Sequence, residues 1–110
     1  MGICKYQPQS HDLIKIADGD KKAELFKAAG QTPIKNAPIA LVITGLPEKT
    51  QNPAWMYLEA GHAAENVYLQ AASLKLGTVA MAGFKEDEVW KALNLPEKER
   101  VVYIMPVGKK

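Results

Sequence analysis

Residues 54–77, AWMYLEAGHAAENVYLQAASLKLG, form the longest segment with a single periodicity and no internal breaker. Asn52 is placed to cap the start of a helix. Pro53 suits its first position, where a missing N–H costs nothing. Gly77 stands where a left-handed residue ends a helix, just after the cationic Lys75. At 1.5 Å per residue such a helix runs roughly 33–36 Å, about the width of a small domain. Trp55, Leu58, His62, Leu69 and Leu76 mark one face; Met56, Ala60, Ala63, Val67, Ala71 and Leu74 mark another. A helix apolar on two sides is buried on two sides. The small residues Ala60, Gly61, Ala63, Ala64, Ala71, Ala72 and Ser73 let another backbone come close. The segment reads as a central helix that also packs against a second subunit.

The rest of the chain supplies what surrounds that helix. Ile3 to Gln7 and Leu13 to Ile16 read as a strand pair turning through Pro8–His11. Asp18-Gly19-Asp20 is a turn, followed by a helix over Lys21–Ala29 that Gly30 stops, and then by one more helical turn near Pro33. Pro38–Gly45 is a continuous apolar run with β-branched residues, the pattern of a strand covered on both faces. Thr78–Met81 reads as a short strand ended by Ala82-Gly83-Phe84. Glu86, Asp87 and Glu88 then fill the favourable first turn of a helix to Leu93. Val101–Met105 is a last strand, ended by Pro106. The expected fold class is α+β: a single domain over residues 1–110, with a short mixed or antiparallel sheet around one long helix.

Composition narrows the function. A net charge of +2 without a Lys/Arg cluster beside aromatics argues against a nucleic-acid partner. No apolar run approaches the roughly 20 residues of a membrane span. The single cysteine, Cys4, excludes an internal disulfide and suits a reducing, cytoplasmic setting. Glu59-Ala60-Gly61-His62 is half of a di-iron motif, but such a site needs a second copy, and the only other histidine is His11. No metal site is therefore expected, and His62 reads as a packed or hydrogen-bonded side chain. No nucleophile elbow or phosphate-binding glycine loop is present, and no side chain emerges as a catalytic acid or base. Gly83, at the end of a strand, is the position where a planar ligand could approach free backbone N–H groups; a plain strand-to-helix turn explains it as well.

Taken together, Trp55-x-x-Leu58-Glu59-Ala60-Gly61-His62-Ala63-Ala64, Asn66, Leu69-Gln70-Ala71-Ala72 and Leu76-Gly77 resemble the central helix of the nitroreductase-like flavoproteins. The Glu-Ala-Gly-His form is closest to the SagB-type dehydrogenases. The resemblance continues through Lys5-Tyr6-Gln7-Pro8, His11-Asp12-Leu13, Gly19-Asp20, Met81-Ala82-Gly83-Phe84, Leu95-Pro96 and Met105-Pro106-Val107-Gly108. It implies an FMN-binding homodimer, joined through the Ala54–Gly77 helix, that uses NAD(P)H to reduce or oxidise a small organic substrate. It also implies that the backbone at Met81, Ala82 and Gly83 lies beside the isoalloxazine edge. The family's N-terminal helices, with their Arg-rich hold on the FMN phosphate, find no match before Ile3. Lys109 and Lys110 are the remaining candidates for its C-terminal cations. The chain thus resembles the C-terminal portion of such an enzyme, truncated at the N-terminus. Alternatives are a non-catalytic remnant that dimerises without flavin, or a subunit that binds another flat ligand or a completing polypeptide.

Overall fold

A computed structural model of the chain describes residues 2–110. Strands β1 (Ile3–Gln7) and β2 (Asp12–Ala17) form an antiparallel hairpin, followed by helices α1 (Lys22–Ala29) and α2 (Thr32–Asn36). Strand β3 (Ile39–Gly45) leads through a short 3₁₀ turn to the long helix α3 (Pro53–Ser73). Strand β4 (Leu76–Thr78), helix α4 (Glu86–Leu93) and strand β5 (Arg100–Lys109) complete the chain. The larger sheet has the order β3-β5-β4, antiparallel throughout. The expected α+β class is the one observed.

The sheet separates two apolar layers. On one face Leu25, Ala29, Ile34, Val89 and Leu93 from α1, α2 and α4 close on Met81, Val101 and Ile104. On the other, Met56 and Ala60 of α3 pack against Val102, with Ile43 and Tyr103 beside them. A bulge in β5 breaks the usual alternation of faces. The β3–β5 register passes from Ile43 opposite Tyr103 to Thr44 opposite Val101, leaving Val102 as the extra residue. Neighbours Val102 and Tyr103 therefore both serve the α3 core, while Val101 and Ile104, three residues apart, both serve the other.

Four expectations are corrected. Full burial on both faces belongs to β5; Pro38–Gly45 is covered in part, by Ala40 and Val42 on one face and Ile43 on the other. β3 is a sheet edge, where Ile39 and Leu41 are 43% and 39% exposed, whereas Val101, Val102 and Ile104 to Val107 of central β5 are buried. Next, β5 is not ended by Pro106 but runs through it. The Ile104 N–H and carbonyl both face the β4 side, where they pair with Met81. Two residues on, the nitrogen of Pro106 faces the same side, between the Thr78–Val107 and Met81–Ile104 pairs, where Val79 and Ala80 leave the ladder. No ladder bond is lost there, so a proline is tolerated in a central strand. The third correction concerns β4, which occupies Leu76–Thr78; of the expected Thr78–Met81 strand, Met81 makes only an isolated bridge to Ile104.

The fourth concerns the long helix. Asn52 caps it as expected, its side chain accepting from the Ala54 N–H at 3.0 Å. Its end comes before Gly77. Lys75, at φ 63°, takes the left-handed position, and Gly77 lies in β4 opposite Gly108. Pairing of Leu76–Thr78 with β5 outweighs the glycine's preference for the cap. Within the chain only one side of α3 is covered. Met56, Ala60, Ala64 and Ala71 are buried, while Trp55, Tyr57, Leu58, Leu69 and Leu74 stand exposed. His62 is also exposed, with no hydrogen-bond partner among the described residues, so it is not the packed histidine expected.

Candidate functional site: the Met81–Gly83 turn

The site expected at Met81, Ala82 and Gly83 is the segment where the chain leaves the sheet for α4. Met81 is buried and exchanges both backbone bonds with Ile104, at 2.9 and 3.0 Å. In a trans peptide the carbonyl and the next N–H point in opposite directions. Because the Met81 carbonyl faces β5, the Ala82 N–H faces away from the sheet. The Ala82 carbonyl then accepts from the Phe84 N–H at 3.0 Å, which turns the Gly83 N–H away from that contact. Neither the Ala82 nor the Gly83 N–H has an intramolecular acceptor among the described residues, and both residues are exposed. Two consecutive donors are thereby left for something else to satisfy.

Glycine at 83 is not demanded by backbone conformation. A Cβ placed there meets only the Gln31 Nε2, at 3.3 Å, the end of a flexible side chain. What glycine leaves is open approach to the backbone.

A cleft of about 280 Å³ opens beside Ala82, lined by Tyr57, Phe84, Glu86, Val101, Val102 and Tyr103. Small-molecule pockets usually hold roughly 300–1,000 Å³. The cleft lies just below that range. Its walls are aromatic and aliphatic. Its only charged group is Glu86, whose carboxylate accepts from the Val101 N–H at 3.0 Å. Aromatic and aliphatic walls beside a backbone with two free donors suit the edge of a flavin ring. A phosphate finds no cation among the cleft residues.

Lys109 and Lys110 are not at this turn. Lys109 ends β5, where it pairs with Leu76 and lines a separate groove of about 440 Å³ with Pro33, Pro38 and Thr78, and Lys110 follows it. Cys4 is exposed on β1, and Tyr6 Oη lies 2.8 Å from the His11 Nδ1 at the hairpin tip. Among the described residues no group of three or more His, Cys, Asp or Glu side chains could hold a metal ion.

Two side chains that sequence reading passed over fix the turn. Gln31 donates through Nε2 to the Gly83 carbonyl at 2.9 Å, and Tyr68 Oη accepts from the Ala80 N–H at 2.6 Å. Gln31 lies in the link between α1 and α2, where nothing in the local pattern marks it. Tyr68 sits mid-helix and reads as ordinary packing.

The profile of the Nitroreductase family matches residues 4–109, nearly the whole chain. The chain belongs to the nitroreductase family. It is 39% identical, over 116 aligned positions, to a Methanocaldococcus jannaschii protein bearing the name Putative nitroreductase MJ1384; the match takes in 99% of this chain and 58% of that one. A Ralstonia eutropha crystal structure of the same designation superposes with a TM-score of 0.83 at 23% identity, covering 98% of this chain and 53% of that chain, and so shares the fold. The FMN-dependent Nitroreductase of Clostridium difficile R20291 superposes with a TM-score of 0.71 at 27% identity, over 86% of this chain and 60% of its own. The chain thus spans somewhat over half the length of the relatives it matches. Among the described residues no helix is long and apolar enough to cross a membrane.

Proposed function

We propose that this chain serves an FMN-dependent oxidoreductase that takes electrons from NAD(P)H and passes them to or from a small organic substrate. The observation that carries this reading is the pair of free N–H groups at Ala82 and Gly83, with a largely apolar cleft beside Ala82. The family membership and the FMN-dependent C. difficile neighbour support it. Bound flavin supplies the redox chemistry, and the protein supplies position and electrostatics. Here Ala82 and Gly83 would donate to the ring edge, while Tyr57, Phe84 and Tyr103 would keep water from one side of it. The Glu59-Ala60-Gly61-His62 sequence supports a place near the SagB-type dehydrogenases.

The working unit of this proposal is a homodimer joined along α3. Leu58 and Leu69 are 62% and 60% exposed, and with Trp55 they form an apolar stripe on the side of α3 away from the sheet. Large apolar side chains exposed along one helix face mark an interface. The stripe also lies next to Tyr57, so a second subunit there would enlarge the shallow cleft. A cytoplasmic location accords with the single, unpaired cysteine.

One observation favours a second reading, a dimer that holds no flavin: the cleft offers no cation to a phosphate. The Gly83→Val variant separates the two. Its β-carbon meets only the end of Gln31, so circular dichroism should be unchanged. FMN affinity, read by titration of flavin fluorescence, should fall at least about tenfold, or roughly 1.4 kcal/mol. Unaltered flavin binding in this variant would show the backbone contact to be wrong.

A further inference from the structure

We infer that Gln31 is a positioning residue for the Gly83 N–H, holding and polarising it through a relay of peptide groups. The inference rests on the flavin reading for the identity of the acceptor, but the relay itself is a feature of the chain.

The relay has three links. Gln31 Nε2 donates to the Gly83 carbonyl at 2.9 Å. That carbonyl shares a peptide group with the Phe84 N–H, which donates to the Ala82 carbonyl at 3.0 Å. The Ala82 carbonyl in turn shares its peptide group with the Gly83 N–H, the free donor. Each bond that draws on a carbonyl makes the N–H of the same peptide a better donor, so hydrogen bonds in series strengthen one another. The far end of the series is the atom proposed to meet the ring.

Gln31 is the only side chain among the described residues that hydrogen-bonds to the Ala82–Gly83 segment, and it comes from 52 residues away in sequence. It is partly buried in the link between α1 and α2, and Ile34 three residues later is completely buried against α4 and β5. The amide donor is therefore carried on a fixed element and not on a mobile loop. Without it the Gly83–Phe84 peptide keeps one internal bond in an exposed turn and is free to rotate, taking the Gly83 N–H out of line.

Gln31→Met keeps the length and shape of the side chain and removes the donor. Two readouts test the role in the full chain. In the flavin-free protein, exchange of the Phe84 amide hydrogen, followed by NMR, should speed up by about two- to tenfold, the factor expected for losing one net hydrogen bond. In the FMN-loaded protein, the visible flavin band should shift, because hydrogen bonding at the ring edge changes, and Gln31→Lys, which restores a donor of similar reach, should return it toward the wild-type position. Unchanged Phe84 exchange in Gln31→Met overturns the relay whether or not flavin binds. Accelerated exchange with an unmoved flavin band overturns the role of Gln31 at the acceptor. A wild-type chain that takes up no FMN overturns that role together with the flavin reading, whereas a failure confined to the Gln31 variants leaves the flavin reading standing.

Discussion

The hydroxyl of Tyr68 accepts a hydrogen bond from the Ala80 N–H at 2.6 Å, joining the middle of α3 to the residue that precedes the Met81–Ile104 bridge. Met81 turns its N–H to β5, so the N–H of the preceding Ala80 points to the open edge of the sheet, where no strand can accept it. Tyr68 supplies the acceptor there. In doing so it fixes the approach to the Met81–Gly83 turn from the α3 side, as Gln31 fixes it from the α1–α2 side.

Tyr68→Phe removes the acceptor and keeps the ring. A partly buried N–H left unsatisfied costs about 1 kcal/mol or somewhat more. The melting temperature should therefore fall by roughly 4–8 °C. Urea unfolding should show a lower midpoint at an unchanged slope, since the surface exposed on unfolding stays the same. An unchanged midpoint would mean that water serves Ala80 equally well.

Lys75 carries the left-handed turn between α3 and β4 on a side chain that is itself exposed. A non-glycine residue in that conformation costs roughly 1–2 kcal/mol, and glycine is the residue helix ends favour there. Lys75→Gly should raise stability, by about 0.5–1 kcal/mol once the greater freedom of glycine in the unfolded chain is counted. Chemical denaturation of the two proteins side by side measures the difference. A loss of stability would mean that the Lys75 side chain makes a contribution its exposure does not reveal.

Much of this architecture can be read from residue patterns. Asn52-Pro53 announces the start of α3, Gly30 the end of α1, and the acidic run Glu86–Glu88 the start of α4; each works through local backbone chemistry and survives folding unchanged. The end of α3 could not be read in the same way. Gly77 is the better cap on local grounds, but the pairing of Leu76–Thr78 with Val107–Lys109 is a contact between residues some thirty positions apart. Pro106 misled for a related reason, because its missing N–H matters only if a partner strand lies opposite, and β4 breaks there. The turn at Met81–Gly83 was visible as a glycine after a strand. Its two supports were not, since Gln31 and Tyr68 become distinctive only when the fold brings them to Gly83 and Ala80.

The exposed side of α3 makes a prediction about assembly. If a second copy covers Trp55, Leu58 and Leu69, the purified chain should sediment as a dimer. Changing Leu58 and Leu69 together to Arg should give monomers, because burying two unpaired charges far outweighs the apolar contacts that remain. Since both side chains already face solvent within one subunit, the fold of the monomer should persist, as read by far-ultraviolet circular dichroism. A double variant that remains dimeric would place the interface elsewhere.

That this chain binds a flavin, the claim on which the role of the Ala82 and Gly83 donors depends, is tested most directly by its visible absorption spectrum. The purified chain should be recorded as isolated, then again after incubation with FMN and removal of free cofactor by desalting. A flavin band retained through desalting, in proportion to protein, is the predicted result. A colourless protein after the same treatment would contradict the claim and favour the flavin-free dimer.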